Sequence, residues 1–232
     1  MSYQGRAQES SADECLRLGA DESLANLFAL FDQPLKSVYR RAGLCVRSVS
    51  LSSKRIEQML AAGTLDGDWI RVEGYAERFG QDLIALPVPL FQLEAALLSL
   101  SNSDFDGTPE DLNGRRVGYQ AGFRWVEANL PLLGAIPVEI PSAMPVRDLL
   151  ERNRFEVFAT DGVRARFIRF SFADNPDSLR MHTWKHISFY HMLHSRHADK
   201  VDALKQAFLV AMEDGTFNPI FSLPGIVRTG QK

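Results

Sequence analysis

The sequence predicts an α/β protein of two lobes, each a mostly parallel sheet flanked by helices. Two observations lead there. The stretches LAAGTLDGDWI from Leu60 and LERNRFEVFAT from Leu150 share one grammar. Each has an apolar helix end, a residue tolerant of a left-handed cap (Gly63, Asn153), a large apolar residue (Leu65, Phe155), an acid (Asp66, Glu156) and a short apolar strand. Around each copy, strand and helix patterns alternate, as right-handed crossovers between parallel strands require.

The first lobe opens on the strand CLRLGA from Cys15. An apolar helical stretch starts at Ser23, with Leu24, Leu27, Phe28 and Phe31 at helical spacing. Pro34 lacks the N–H that a helix interior uses, so it is expected to start a second helical piece that ends at Gly43. Strand LCVRSVSL follows, then Ser52 or Ser53 as N-cap of KRIEQMLAA, then strand LDGDWIRV.

The second lobe begins near Leu112, with LNGRRVGYQAG as strand and turn and FRWVEANLPLL as helix. A strand around PVEIPS, the helix MPVRDLLERN and the strand FEVFATDG complete it. LIALPVPLFQLEAALLSL is expected to cross between lobes, and HISFYHMLHS to return before a helix carrying Val201, Leu204, Phe208 and Met212 on one face. The lobes are therefore expected at 15–90 plus 190–232 and at 91–189, with crossings near 86–98 and 183–192. Such an arrangement places a cleft at the carboxyl ends of the strands, where open α/β sheets bind ligands.

Composition narrows the function. The 232 residues carry a net charge of −3, with 45% hydrophobic and 24% charged residues. That balance argues against a general nucleic-acid binder, which shows a basic face. No apolar run approaches the ~20 residues of a membrane span, since two prolines, Gln92 and Glu94 interrupt the longest. The N-terminal MSYQGRAQESSADE has no apolar signal region. The chain then reads either as cytosolic or as the mature part of an exported protein with Met1 added. The two cysteines, Cys15 and Cys45, begin strand-like segments in similar register. Bridges across adjacent parallel strands are uncommon, which favours two buried thiols over a disulfide.

All five histidines fall between 182 and 197. By strand parity His186 and His194 share one face and His191 and His197 the other, which splits a would-be metal site. Hinge and surface histidines that titrate near the reference value of ~6.5 are expected instead. No G-x-S-x-G elbow, P-loop or zinc-type cysteine pair occurs. No cofactor and no metal are expected.

CLRLGADES, MLAAGTLDG, GYAERF, RRVGYQAGF, FATDG and AMEDGTF, in that order and spacing, resemble the type II periplasmic solute-binding proteins, in particular the branch that binds amino acids. The resemblance covers about 15–220. It implies a periplasmic-binding-protein-like clamp, non-enzymatic and monomeric, that closes on a small polar or anionic solute. The clamp would deliver that solute to an ABC-type transporter permease or to a sensor, with the mature protein in the periplasm.

Site roles carry over residue by residue. Arg78 matches the arginine that clamps a ligand carboxylate, because a guanidinium meets it bidentately. Arg71 falls where relatives offer small hydroxyl residues, directly after Trp69 and Ile70. Either arginine reads equally as a solvated residue or a partner of Glu73 or Glu77. Gly122 and the backbone of Phe123 sit at a helix start that favours an anionic group, although relatives carry hydroxyl residues where this chain has Phe123 and Arg124. Asp161 matches the acid that meets a ligand ammonium, and also reads as an N-cap. Asp21 matches a further polar contact.

Two departures qualify this. The positions that supply aromatic rings in relatives are Leu24 and Ser53 here, which leaves Trp69, Tyr75, Tyr119, Phe123 or Trp125 to compensate. A few dehydratases of cyclic acids use the same clamp, for which Glu22, Asp68 or Glu73 would be the protonatable acid. A ligand-sensing domain of a signalling receptor and the effector domain of a regulator compete with the transport role.

Overall fold

The structure, a computed structural model, describes residues 15–22, 25–121, 123–141 and 144–229, without the side chains of 25–27. In chain order its strands and helices are β1 (Leu16–Asp21), α1 (Ala25–Arg41), β2 (Val46–Leu51), α2 (Ser53–Ala61), β3 (Gly67–Val72), β4 (Leu83–Leu100), β5 (Arg116–Gln120), α3 (Arg124–Asn129), β6 (Ile136–Ile140), α4 (Val146–Glu151), β7 (Val157–Asp161), α5 (Gly162–Phe170), β8 (Leu179–His194), α6 (Val201–Glu213) and β9 (Ile226–Val227). The chain divides into two compact units, 1–90 with 189–220 and 91–188 with 221–232. The long strands β4 and β8 each start in one unit and end in the other. The sequence expectation kept everything after 190 in the first lobe. Residues from Phe221 group instead with the second unit, because β9 pairs antiparallel with β4 at Gln92 and Leu93.

In the first unit β1 lies between β2 and β3, parallel to both. In the second, β5 lies between β6 and β7, again parallel to both. An antiparallel strand then adds to the third member of each trio, β8 to β3 and β4 to β7.

The repeated sequence grammar has a repeated physical cause. Gly63 (φ 63°) and Asn153 (φ 52°) both take the left-handed conformation that ends a helix. The amides that follow fold back alike: Thr64 N–H donates to the Met59 carbonyl at 2.8 Å, and Arg154 N–H to that of Leu149 at 2.9 Å. Leu65 and Phe155 then plug the cores beneath α2 and α4. The acid that follows grips the neighbouring strand at two points. Asp66 N–H donates to the Arg17 carbonyl at 2.8 Å and its carboxylate accepts from Arg17 N–H at 2.7 Å. Glu156 repeats this on Arg116, at 2.9 and 3.4 Å. Asp66 also accepts from Arg196 and from His197, both at 2.6 Å. Burial alone would raise its carboxyl, but the Arg17 amide, Arg196 and His197 outweigh that and hold it below the usual range.

Three expectations are corrected. Pro34 does not divide α1, which is one continuous helix, anchored by fully buried Phe31, Leu35, Val38 and Tyr39 on both sides of the proline. Burying four large side chains on one helix face outweighs one missing hydrogen bond. Cys15 and Cys45 are joined as a disulfide, with Cα atoms 4.5 Å apart. Each stands one residue before its strand, and the β1–β2 register, Leu16 opposite Val46, sets the two across from each other. The histidine segment is not all surface: His191 is fully buried.

Removing the disulfide by a Cys15→Ser, Cys45→Ser pair is expected to cost roughly 3–4 kcal/mol, from the entropy of a loop of this length in the unfolded chain, measured by urea unfolding with and without reductant. Asp66→Asn is expected to lower stability by about 2 kcal/mol at neutral pH, the scale of a hydrogen bond to a charged group. Its native carboxyl titrates below its unfolded value, so that stabilisation is present above pH ~4 and fades as pH falls through the native value. The two unfolding curves should therefore converge in acid.

Candidate functional site

Within each unit, most of the predicted contact residues stand at or just beyond the carboxyl ends of parallel strands. Asp21 ends β1, Arg71 is the penultimate residue of β3, and Asp161 ends β7.

In the first unit Asp21, Arg71 and Asp68 form one cluster. Arg71 Nε donates to Asp68 at 2.6 Å and its Nη1 to Asp21 at 3.1 Å. Ser53 donates to the Asp21 carboxylate as well. The third guanidinium nitrogen, Nη2, is buried without a hydrogen-bond partner, as is the Tyr75 hydroxyl. The guanidinium lies 5.1 Å from the centre of the Tyr75 ring. Two acids and one guanidinium give the cluster a net charge of −1 when both carboxyls are ionised, and neutrality when Asp68 is protonated. Burial raises the Asp68 carboxyl, Arg71 opposes, Asp21 adds to the rise, and the result is about 6. Arg71 itself is held charged, since its acid partners outweigh the cost of burying it.

Arg78 lies outside this cluster. It is half-exposed, pairs with Glu57 at 3.1 Å, and stands 5.7 Å from the centre of the Tyr75 ring. Tyr75 therefore has an arginine from each of the two predicted positions against it. Trp69 is a core residue: its ring stacks on Phe28 at 4.0 Å and its indole N–H donates to Ser48 at 3.0 Å.

In the second unit Asp161 caps α5, accepting from Arg164 N–H at 2.8 Å. Phe123 packs against the core, Trp125 meets Trp184 at 4.8 Å, and the Tyr119 hydroxyl donates to Glu139 at 3.2 Å. Helix α3 has six residues. The Gly122 and Leu24 expectations lie outside the described residues. No group of three or more His, Cys, Asp or Glu able to hold a metal occurs among the described residues.

Sequence reasoning reached Asp21 and Arg71 and named Asp68 only as an acid for catalysis. It missed that Asp68 and Arg71 are partners, because residues three apart in a regular strand face opposite sides. Pairing of β3 with β8 shifts register between Asp68 and Arg71: Asp68 opposes Met192 and Arg71 opposes Tyr190, so Trp69 and Ile70 share His191. That bulge brings Arg71 to the face of Asp68.

With this geometry in view, comparison with solved structures identifies the fold. A histidine kinase sensor domain with similarity to periplasmic binding proteins matches at a TM-score of 0.68 and 14% identity, over 93% of this chain and 99% of that one. The GluR0 ligand-binding core in complex with L-glutamate matches at 0.69 and 14%, over 93% and 100%. The amino-acid transporter substrate-binding protein AbpA of Streptococcus pneumoniae, bound to L-arginine, matches at 0.61 and 12%, over 90% and 94%. No family model and no curated protein matches the sequence. The chain has the type II periplasmic-binding-protein fold, an α/β fold whose structural neighbours in this comparison include a sensor domain, a substrate-binding protein and a ligand-binding core.

Two buried groups in the first unit set opposite pH slopes. Asp68 titrates near 6 when folded against 3.8 unfolded, so its contribution to stability falls as pH rises from about 4 to 6. Burial lowers His191 to about 4 from 6.5, only partly offset by the Trp69 carbonyl, so its contribution rises over nearly the same window. Asp68→Asn removes the falling part. Wild-type stability is expected to be nearly flat between pH 4 and 6 and that of Asp68→Asn to climb with pH, read from melting temperatures across the series.

Proposed function

We propose that this protein is a non-enzymatic binder of a small polar solute, amino-acid-like or anionic. It hands that solute to an ABC-type transporter permease or reports it to a sensor. One observation carries the reading. Arg71, near the end of β3, is held by two acids and still keeps a buried, unpartnered Nη2, and its guanidinium lies 5.1 Å from the ring centre of Tyr75, whose hydroxyl also lacks a partner. Unpaired buried donors are costly, and a ligand carboxylate accepting from both would remove that cost. Asp21, at the end of β1 in the same unit, supplies an acceptor for an ammonium group. An amino acid carries both groups.

The neighbours with bound L-glutamate and L-arginine support the class of ligand. The sensor-domain neighbour keeps a sensing role beside a transport role. The disulfide supports a mature protein in an oxidising compartment such as the periplasm. No described helix is long and apolar enough to cross a membrane.

The dehydratase reading rests on a protonatable acid, and Asp68 titrates in the range that suits one. That carboxyl is 1% exposed and engaged by Arg71, which holds its charged form rather than leaving it free to exchange a proton. Binding is the stronger reading.

Calorimetric titration with L-amino acids and dicarboxylates tests it. Saturation at a hundred times Kd should raise stability by about 2.7 kcal/mol. Arg71→Gln is expected to weaken the best ligand more than tenfold, or about 1.4 kcal/mol. Arg78→Ala should also weaken it, with unfolding free energy changed by no more than about 0.5 kcal/mol, as for exposed sites. Unchanged affinity in both variants would remove the arginines from the site, and no heat with any compound would remove the binding function.

A further inference from the structure

His191 is the one residue of β8 opposite the two bulged residues of β3. Its ring is fully buried between α1 and α6, edge-on to Tyr39 at 5.7 Å and tilted against Phe208 at 5.3 Å. Nδ1 lies 2.9 Å from the Trp69 carbonyl and Nε2 lies 2.7 Å from the Tyr39 hydroxyl. A carbonyl only accepts, so Nδ1 carries the proton and donates. Nε2 then accepts from the Tyr39 hydroxyl, and burial keeps that phenol protonated. The ring is thus a neutral imidazole in a single tautomer.

The other side of the same residue faces the cluster. Trp69 N–H donates to the Asp68 carboxylate, while the Trp69 carbonyl takes the His191 proton. A bulge leaves backbone groups out of the ladder, and an unmatched buried carbonyl costs on the order of 1–3 kcal/mol. His191 supplies that match with a side chain. Regular pairing would restore the ladder, but it would turn Arg71 to the opposite face, away from both Asp68 and Asp21.

We propose that His191 is a positioning residue: by donating from Nδ1 to the Trp69 carbonyl it holds the β3 bulge that brings Arg71 onto Asp68 and Asp21. It acts from behind the site, on the far face of the sheet from Arg71. The inference rests on reading Arg71 as the ligand contact for its functional meaning, but not for its test, which uses the unliganded protein.

Two substitutions separate the ring's two bonds. An Asn amide reaches the place of Nδ1, and a Gln amide reaches that of Nε2. The readout is the carboxyl 13C titration of Asp68 in the unliganded protein, whose surrounding charges are Arg71, Asp21 and the Tyr75 hydroxyl. His191→Asn is expected to keep the wild-type midpoint. His191→Gln is expected to raise it by about one pH unit, a tenfold gain in proton affinity, because Arg71 no longer holds the charged form. Tyr39→Phe should lower the melting temperature and leave the midpoint in place.

A plain packing role would lower stability in all three and move the Asp68 midpoint in none, which would overturn the proposal. Equal shifts in the Asn and Gln variants would overturn it as well. Should the Gln variant not fold, 15N spectra of the wild-type His191 ring decide: a protonated Nδ1 and a bare Nε2 are required, and the opposite tautomer rejects the proposal. A protein that binds no solute leaves each of these results intact, so the two readings fail separately.

Discussion

The grip of an acid on the backbone of the adjacent strand fixes the register of each unit. A parallel strand reaches its neighbour only after a helical crossover, so nothing local sets their alignment. Asp66 and Glu156 set it by using both their own N–H and their carboxylate on a single residue of the next strand, Arg17 or Arg116. Each acid is delivered there by a left-handed helix end and a buried apolar plug. With these strands aligned, β1 and β3 in one unit and β5 and β7 in the other bring their carboxyl ends level, and the polar residues at those ends follow.

The Asp21–Arg71–Asp68 cluster then depends on a local departure from regularity. A guanidinium matched by two carboxylates is a poor trap for an anion as a point charge, because its field is already answered. What Arg71 offers is directional: one unused nitrogen on a guanidinium held against the Tyr75 ring. In the proposed function such a site would select by geometry rather than by charge alone, which suits a zwitterion better than a simple anion. The supporting Asp68 lies at the edge of protonation near pH 6, so the field on Arg71 strengthens or weakens with modest changes in acidity.

Much of the fold was legible because it rests on short-range signals. The Gly63 and Asn153 helix ends, the apolar plugs and the alternation of strand and helix are local, and each appears where its residues place it. Asp161 was legible as an N-cap for the same reason. Asp21 and Arg71 were singled out by the resemblance as strand-end positions, which they occupy, and their direct ion pair followed only from the fold. Arg78 was singled out by the resemblance, and the structure shows its partner to be Glu57, on a helix that motif spacing does not address.

What the sequence by itself determined is the plan: two α/β units built alike, with polar residues at the ends of their strands. The tertiary structure alone decided which of those residues meet. Parity along β3 sets Asp68 and Arg71 apart, and only the register shift against β8 reunites them. His191, which reads as one more histidine in a histidine-rich strand, becomes a buried neutral donor because α1 and α6 close over it. Cys15 and Cys45 bridge because the register of β1 on β2, Leu16 opposite Val46, sets them across from each other. In each case the deciding quantity is a register between segments distant in the chain, and pairing across the sheet sets it.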